Sequence, residues 1–182
     1  MRRKAVFLDR DGVLNLPLVR DGKPFAPRTL GEFQLYPEAP EGVALLKKAG
    51  FLPVVATNQP DIGNGLAEES AVLAMHAHLS AALGIEHILM CPHSQGAGCA
   101  CRKPKPGMLL DAAERLGIDL AASFMVGDRA GDVAAGKAAG CRTIFIDRRY
   151  SADKRPEAPD RVVGSLTEAV TAILDYGVVH AP

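Results

Sequence analysis

Five short apolar runs, separated by amphipathic stretches, limit the possible folds of this chain more than any other feature of its sequence. The runs are rich in valine, isoleucine and phenylalanine and nearly free of charge, which is typical of buried parallel strands. They lie at residues 5–9, 53–57, 85–91, 124–128 and 143–147. We therefore predict five strands of one buried sheet.

Amphipathic patterns fill the intervals and predict the helices that cover this sheet. They lie at 40–49, 67–83 and 109–116, and a last helix is predicted from the capping-box pair Ser165 and Glu168 to Gly177. Strands alternating with helices through right-handed crossovers predict an α/β fold, a Rossmann-like, doubly wound parallel sheet. We expect residues 1–182 to form a single domain without a large cap domain.

Two polar stretches interrupt the alternation. Residues 16–37 contain four prolines and two glycines and are predicted to form a long loop. Residues 148–161 are polar and proline-bearing, and are predicted to form a surface connection.

Acidic and hydroxyl side chains follow three of the apolar runs. Asp9, Thr57 and Asp128 each end a run, and ligands of such sheets collect beyond the carboxyl ends of the strands. Asp9 and Asp11 are one residue apart, so a buried pair requires a cation or a proton. The alternative interpretation is a D-x-D-G turn with solvated acids.

The acids predict metal-assisted attack on phosphorus. Asp9, Asp128 and a main-chain carbonyl near Asp11 can hold Mg²⁺, with Asp132 as a further ligand or a partner of the ligands. Asp9 would act as nucleophile, because the cation masks the phosphate charge. Asp11 would protonate the leaving oxygen and then activate water.

Polar residues beside these acids suit a phosphoryl group. Thr57, Asn58 and Gln59 offer a hydroxyl and main-chain amides for phosphate oxygens, although a polar turn after the strand explains these residues better when they are taken alone. Arg102 and Lys103 can neutralise a transferring phosphoryl group. The alternative there is a solvated basic loop, to which we assign Lys105.

Taken together, these residues resemble the four motifs of the haloacid dehalogenase (HAD) superfamily of phosphatases. The motifs occur in order over most of the chain, as Asp9-x-Asp11, Thr57, Lys103 and Gly127-Asp128 with Asp132. The resemblance implies aspartyl-phosphate chemistry with Mg²⁺ on a Rossmann-like sheet. It also implies that Thr57 and Lys103 hold the phosphoryl group and that Asp128 binds the metal.

A second candidate metal site lies in the stretch CPHSQGAGCAC. Cys91, His93, Cys99 and Cys101 fall within eleven residues, and three thiolates with one imidazole suit a closed tetrahedral Zn²⁺ site. Residues i and i+2 of extended backbone point the same way, so each pair can converge on one ion. We predict a structural zinc-binding loop at 91–101; the alternative is a loop of free thiols.

The zinc insert is similar to that of one branch of the superfamily, which includes heptose bisphosphate and histidinol-phosphate phosphatases. The resemblance implies that Arg102 recognises substrate, and we assign Arg129 to substrate binding as well. The leading expectation is hydrolysis of the 7-phosphate of a heptose 1,7-bisphosphate; histidinol phosphate or another small metabolite is the alternative. The chain departs from the usual pattern at residues 60–65, where Asn64 replaces a cation, and in the 16–37 loop.

Composition limits the partners, the location and the other functional classes that we expect for this chain. The formal net charge is zero, so we expect no nucleic-acid partner, and no apolar run is long enough for a membrane helix. Cysteine clustering favours a metal site in a reducing compartment, so we expect a cytoplasmic protein. We also expect a monomer. Two other interpretations stay open at this point: a receiver-like domain that accepts a phosphoryl group once, and a zinc-stabilised binding module without catalysis.

Overall fold

The computed structural model describes the backbone of residues 2–179 and the side chains of residues 2–176. Eight strands occur in this part of the chain: β1 (Ala5–Leu8), β2 (Leu18–Arg20), β3 (Lys23–Phe25), β4 (Leu52–Asn58), β5 (His87–Cys91), β6 (Phe124–Gly127), β7 (Arg142–Ile146) and β8 (Arg161–Val163). Six of them form a parallel sheet in the order β5-β4-β1-β6-β7-β8, and β2 and β3 form a separate antiparallel hairpin.

Helices cover both faces of the sheet, which confirms the predicted doubly wound fold. They are α1 (Ala39–Lys48), α2 (Pro60–Gly63), α3 (Glu69–Leu83), α4 (Gly107–Leu116), α5 (Ala130–Ala139) and α6 (Leu166–Val179). Alternate residues of a strand point to opposite faces. Thus Val6 and Leu8 pack with α1, α3 and α6, whereas Ala5 and Phe7 pack with α4 and α5. None of the helices in the described part is long and apolar enough to cross a bilayer.

The order of the strands determines where a ligand can bind. From β1 the chain moves outward through β4 and β5, and then returns to add β6, β7 and β8 on the other side. The order therefore reverses between β1 and β6, and a crevice opens at such a point beyond the carboxyl ends of the strands. Asp9 directly follows β1 and Asp128 directly follows β6.

Several elements differ from the sequence-based expectation. Helix α5 was not predicted because its sequence, AGDVAAGKAA, is small and lacks a clear apolar stripe. The 16–37 loop contains the β2–β3 hairpin, whose turn residues Asp21 and Gly22 have φ of 49° and 72°. An Asp-Gly pair between two short strands is a known signal for such a turn. Helix α6 continues through Gly177 to Val179, so the predicted end was wrong.

His76 lies on the buried side of α3 and is 7% exposed. Its Nε2 has no hydrogen-bond partner among the described residues. Burial, assisted by the charge of Arg10, lowers the pKa of His76 from 6.5 to about 4. The folded protein therefore keeps a neutral imidazole where the unfolded chain takes up a proton. Its contribution to stability is complete above pH 6.5 and is lost as the pH falls towards 4.

We expect His76→Gln to reduce the acid sensitivity of the fold. Between pH 6.5 and 4, the free energy of unfolding of the wild type should fall by up to about 3 kcal/mol more than that of the variant. Denaturant titrations at several pH values in this window measure the difference. His78→Gln, on the exposed side of the same helix, should retain the wild-type dependence. Parallel pH profiles for the wild type and His76→Gln would contradict the prediction.

Candidate active site

Three buried carboxylates lie together at the reversal of strand order. One oxygen from each of Asp9, Asp128 and Asp132 falls within 4.8 Å of the other two. Burial is the largest effect on Asp9 and raises the pKa of its carboxyl to about 7, against the opposing charge of Lys103. Burial and the charge of Asp9 also raise the pKa of Asp128 well above its ordinary value.

This acidic group fits a divalent cation. Asp128 Oδ1 is buried and has no hydrogen-bond partner among the described residues, although burying a carboxylate oxygen without a partner is costly. Oxygen ligands from carboxylates are those that Mg²⁺ prefers. The side chain of Asp11 lies outside the group, and metal binding through a main-chain carbonyl near Asp11 stays a prediction.

Lys103 lies between Asp9 and Asp132. Its Nζ donates to Asp9 Oδ1 at 2.8 Å and to the Ala56 carbonyl at 2.6 Å, and it lies 2.6 Å from Asp132 Oδ1. Burial opposes its charge, but the carboxylates of Asp132 and Asp9 outweigh burial and raise the pKa of Lys103. The ammonium group is therefore held in its charged form beside Asp9.

Asn58 fixes the backbone of Lys103. Its Nδ2 donates to the Lys103 carbonyl at 3.0 Å, and its Oδ1 accepts the Lys103 backbone N–H at 3.1 Å. We predicted that Asn58 binds substrate through the rim. Asn58 does line the cavity. The nitrogen and the oxygen of its side-chain amide are both hydrogen-bonded to the Lys103 backbone, so the contacts in this structure assign it to positioning Lys103.

A second polar network surrounds Asp11. Arg10 is fully buried and approaches Asp11 through Nε at 3.3 Å and Nη2 at 3.2 Å. Asn15 Nδ2 donates to Asp11 Oδ1 at 2.9 Å. Gln59 Nε2 donates to Asp11 Oδ2 and to Thr57 Oγ1, each at 2.9 Å, which joins Thr57 to Asp11. Sequence reasoning missed Arg10 and Asn15, although both lie within four residues of Asp11.

The cysteine and histidine ligands of the 91–101 loop converge as predicted. Cys91 Sγ lies 3.1 Å from Cys101 Sγ and 3.6 Å from Cys99 Sγ. His93 Nδ1 lies 3.5 Å from Cys91 Sγ and 3.3 Å from Cys101 Sγ. A tetrahedral site with Zn–S bonds of about 2.3 Å has sulfur atoms about 3.8 Å apart. The 3.6 Å separation is close to this value and the 3.1 Å separation is shorter; the four side chains are near enough to one another to hold a single metal ion.

Lys105 contacts this loop through hydrogen bonds. We had assigned it instead to a solvated basic loop. Its Nζ donates to the carbonyls of Gly98 and Cys99 at 2.8 and 2.9 Å. The lysine thus ties the loop to the segment that carries Arg102 and Lys103.

A cavity of about 390 Å³ opens above the acids, and loops shape it as expected from the absence of a large cap. Its wall includes residues of the β2–β3 hairpin, the start of α2 and the 91–101 loop. It also includes residues of the 148–161 connection, which was predicted only to be a surface segment. Five cations line the cavity: Lys23, Arg102, Lys103, Arg129 and Lys154.

These cations differ in whether a carboxylate is already paired with them. Arg129 Nη2 donates to Asp153 Oδ1 at 3.3 Å, whereas Arg102 Nη1 is buried without a hydrogen-bond partner among the described residues. Lys23 and Lys154 were missed because no motif in the sequence singles out either lysine. An unpartnered guanidinium in a cation-lined cavity suits an anionic ligand.

Comparison with known proteins agrees with this geometry. A family model described as HAD-hydrolase-like matches residues 100–169. The D-glycero-β-D-manno-heptose-1,7-bisphosphate 7-phosphatase of Pseudomonas aeruginosa is 39% identical over 151 residues, 80% of this chain and 82% of the relative. The Escherichia coli enzyme of the same name is 36% identical over 183 residues, 93% of each chain.

A solved structure extends the similarity to the whole fold. The D,D-heptose 1,7-bisphosphate phosphatase of B. bronchiseptica, complexed with magnesium and phosphate, superposes with a TM-score of 0.80 at 33% identity. The match covers 95% of this chain and 99% of that one. A putative HAD-like phosphatase from Mesorhizobium loti gives a TM-score of 0.73 at 32% identity, over 94% and 86% of the two chains. The chain therefore belongs to the haloacid dehalogenase superfamily and, within it, to the family of these heptose-bisphosphate phosphatases.

Proposed function

We propose that this protein is a Mg²⁺-dependent phosphatase that removes the 7-phosphate of D-glycero-β-D-manno-heptose 1,7-bisphosphate. The observation that carries the proposal is the position of Asp9, buried beside Lys103, Asp128 and Asp132 at the floor of a cation-lined cavity. Relatives that the chain matches over most of its length carry the name of this activity.

In the first step, a carboxylate oxygen of Asp9 attacks phosphorus and the bond from phosphorus to the sugar oxygen breaks. Lys103 and Thr57 hold the transferring phosphoryl group, and Asp11 donates a proton to the departing oxygen. Gln59 links Thr57 to Asp11, so the donor and the phosphoryl site are held in a common geometry.

In the second step, Asp11 removes a proton from water, and the water oxygen attacks the aspartyl phosphate. The phosphorus–oxygen bond to Asp9 breaks, which releases inorganic phosphate and restores the carboxylate. Asp9, Asp128 and a carbonyl near Asp11 would hold Mg²⁺, and Asp132 would orient Lys103 and support the ligands. Bound Mg²⁺ supplies charge neutralisation of the phosphate oxygens.

We also propose that Cys91, His93, Cys99 and Cys101 hold a structural Zn²⁺. All four ligand positions are protein side chains, which leaves no open position for catalysis. The clustered thiols suit a reducing compartment, so we propose a cytoplasmic location. We also propose that the protein is a monomer that acts on a small phosphorylated metabolite, without nucleic-acid or membrane partners.

The test is phosphate release from a panel of substrates in the presence of Mg²⁺. The panel contains the heptose 1,7-bisphosphate, histidinol phosphate and an aryl phosphate, with kcat/KM measured for each. The bisphosphate should give the highest value. Preference for histidinol phosphate would overturn the substrate, and the absence of repeated turnover on every ester would overturn the phosphatase itself.

We expect Arg102→Ala to separate substrate recognition from chemistry. The unpartnered guanidinium of Arg102 suits the second phosphate of the bisphosphate, and losing a charge-assisted contact costs about 1.5–3 kcal/mol. The kcat/KM for the bisphosphate should fall by roughly ten- to a hundredfold. An aryl phosphate has no second anionic group, so its hydrolysis should change little.

The control is Arg115→Ala, which removes an exposed arginine from α4. Its kcat/KM should match that of the wild type on both substrates. Equal losses on both substrates in Arg102→Ala would mean that Arg102 serves the chemistry or the fold of the loop instead.

A further inference from the structure

Tyr150 contacts the candidate metal site from the 148–161 connection. Its hydroxyl donates to Asp128 Oδ2 at 2.7 Å. The other carboxylate oxygen, Oδ1, is buried and has no hydrogen-bond partner among the described residues. The two oxygens of Asp128 are therefore in different states, one held by a phenol and the other available to a ligand.

Arg148 anchors the connection that carries Tyr150. Arg148 Nε donates to the Gly12 carbonyl at 2.8 Å, and its guanidinium lies 4.1 Å from the centre of the Tyr36 ring. Asp153 forms an ion pair with Arg129, the residue after Asp128. The connection is thus bonded on both sides of Tyr150 to segments that carry the candidate catalytic residues.

Gly12 lies close to the same carboxylate oxygen. A Cβ at this position would lie 1.8 Å from Asp128 Oδ2 and 3.0 Å from the Tyr150 hydroxyl oxygen. Gly12 also has φ of +84°, which a side chain would strain. The Asp9-x-Asp11 turn therefore approaches the Asp128–Tyr150 pair so closely that the carboxylate has little freedom to rotate.

We propose that Tyr150 is a positioning residue for Mg²⁺ binding. By donating to Oδ2, it fixes the Asp128 carboxylate with Oδ1 directed to the cation. Outer partners of this kind orient metal ligands and contribute to affinity. A phenol suits the task because it is neutral at physiological pH and does not cancel the charge that attracts the cation. The inference rests on the metal role proposed for Asp128.

The test is Mg²⁺ binding by Tyr150→Phe without substrate, measured as the shift of the thermal unfolding midpoint with Mg²⁺ concentration. Ligand binding to the folded state raises this midpoint by an amount that grows with the logarithm of 1 + [Mg²⁺]/Kd, so the concentration dependence of the shift gives the affinity. The apparent affinity for Mg²⁺ should fall by about 10- to 100-fold. The Mg²⁺ concentration for half-maximal turnover should rise by the same factor, with lost activity recovered as Mg²⁺ is increased.

Tyr176→Phe is the matched control, because it removes a phenol hydroxyl from α6, where the ring packs against Phe124. It should keep the wild-type Mg²⁺ affinity. Arg148→Gln leaves the phenol in place but loosens its support, and should weaken Mg²⁺ binding by a smaller factor. This second variant also keeps the proposal testable if Tyr150→Phe does not fold.

Three results would decide against these assignments. Equal affinity in Tyr150→Phe and the wild type would overturn the positioning role alone. Tighter binding in the variant would also overturn it, because the phenol would then compete with the cation for Oδ2. A wild type whose midpoint does not respond to Mg²⁺ would overturn the proposed metal site itself.

Discussion

Asp9→Asn should abolish phosphate release, with kcat reduced by at least about 10⁴-fold, because an amide is not a competent nucleophile towards phosphorus. The fold should survive, since asparagine has nearly the same volume and its oxygen can still accept the hydrogen bond that Lys103 Nζ makes at 2.8 Å. Steady-state phosphate release measures the loss, and the thermal midpoint checks the fold.

Asp11→Asn should fail differently, because Asp11 serves protonation and water activation. We expect slow turnover and accumulation of the aspartyl phosphate on Asp9, detected as a mass increase after acid quench. Asp111→Asn, on the exposed side of α4, is the control and should retain wild-type kcat. Near-normal turnover by Asp9→Asn would remove Asp9 from the role of nucleophile.

Cys101→Ala should reduce the zinc content from the one ion per chain that we propose to nearly none. Cys101 Sγ lies 3.1 Å from Cys91 Sγ and 3.3 Å from His93 Nδ1, so its removal leaves an incomplete ligand set. Arg102 and Lys103 follow Cys101 directly, and a displacement of about 1 Å at a catalytic group costs about 100-fold in rate. We therefore expect kcat/KM to fall by about that factor.

Elemental analysis and thiol alkylation of the purified proteins measure this effect. Cys141→Ala is a matched control, since Cys141 is a buried cysteine outside the cluster. It should keep both the zinc and the activity. A wild type without zinc, whose cluster thiols are readily alkylated, would show that the loop is held by its hydrogen bonds alone.

Five of the six strands of the sheet could be predicted closely, because both faces of the sheet are covered. The edge strand β8 (Arg161–Val163) was missed, because it is short and largely exposed. A strand buried on both faces must be apolar at every position, so Ala5–Leu8 and Phe124–Gly127 are visible as uninterrupted runs. Helix α5 has no such signature, since its small residues lie against β6 and β7 without forming an apolar stripe. At the start of α5, Asp132 Oδ2 accepts a hydrogen bond from the Arg129 N–H. This local capping interaction could have indicated the helix.

The site was predicted only where its residues follow strands or lie beside a motif. Asp9 and Asp128 occupy one edge because the carboxyl ends of neighbouring parallel strands meet there, and this follows from chain order alone. Tyr150 reaches Asp128 across 22 residues, through a connection with no periodic pattern. Its contact depends on how Arg148 and Gly12 meet in space.

The sequence by itself determined the class of fold, the order of the chemical groups and the composition of both candidate metal sites. These properties depend on the identity and spacing of residues that are near one another in the chain, and both can be taken directly from the sequence. Only the tertiary structure decided that Asn58 clamps Lys103, that Arg10 and Gln59 hold Asp11, and that Tyr150 holds one oxygen of Asp128. Such contacts depend on side-chain positions to within about 0.5 Å. That precision arises from packing of the whole molecule and is encoded in no single stretch of it.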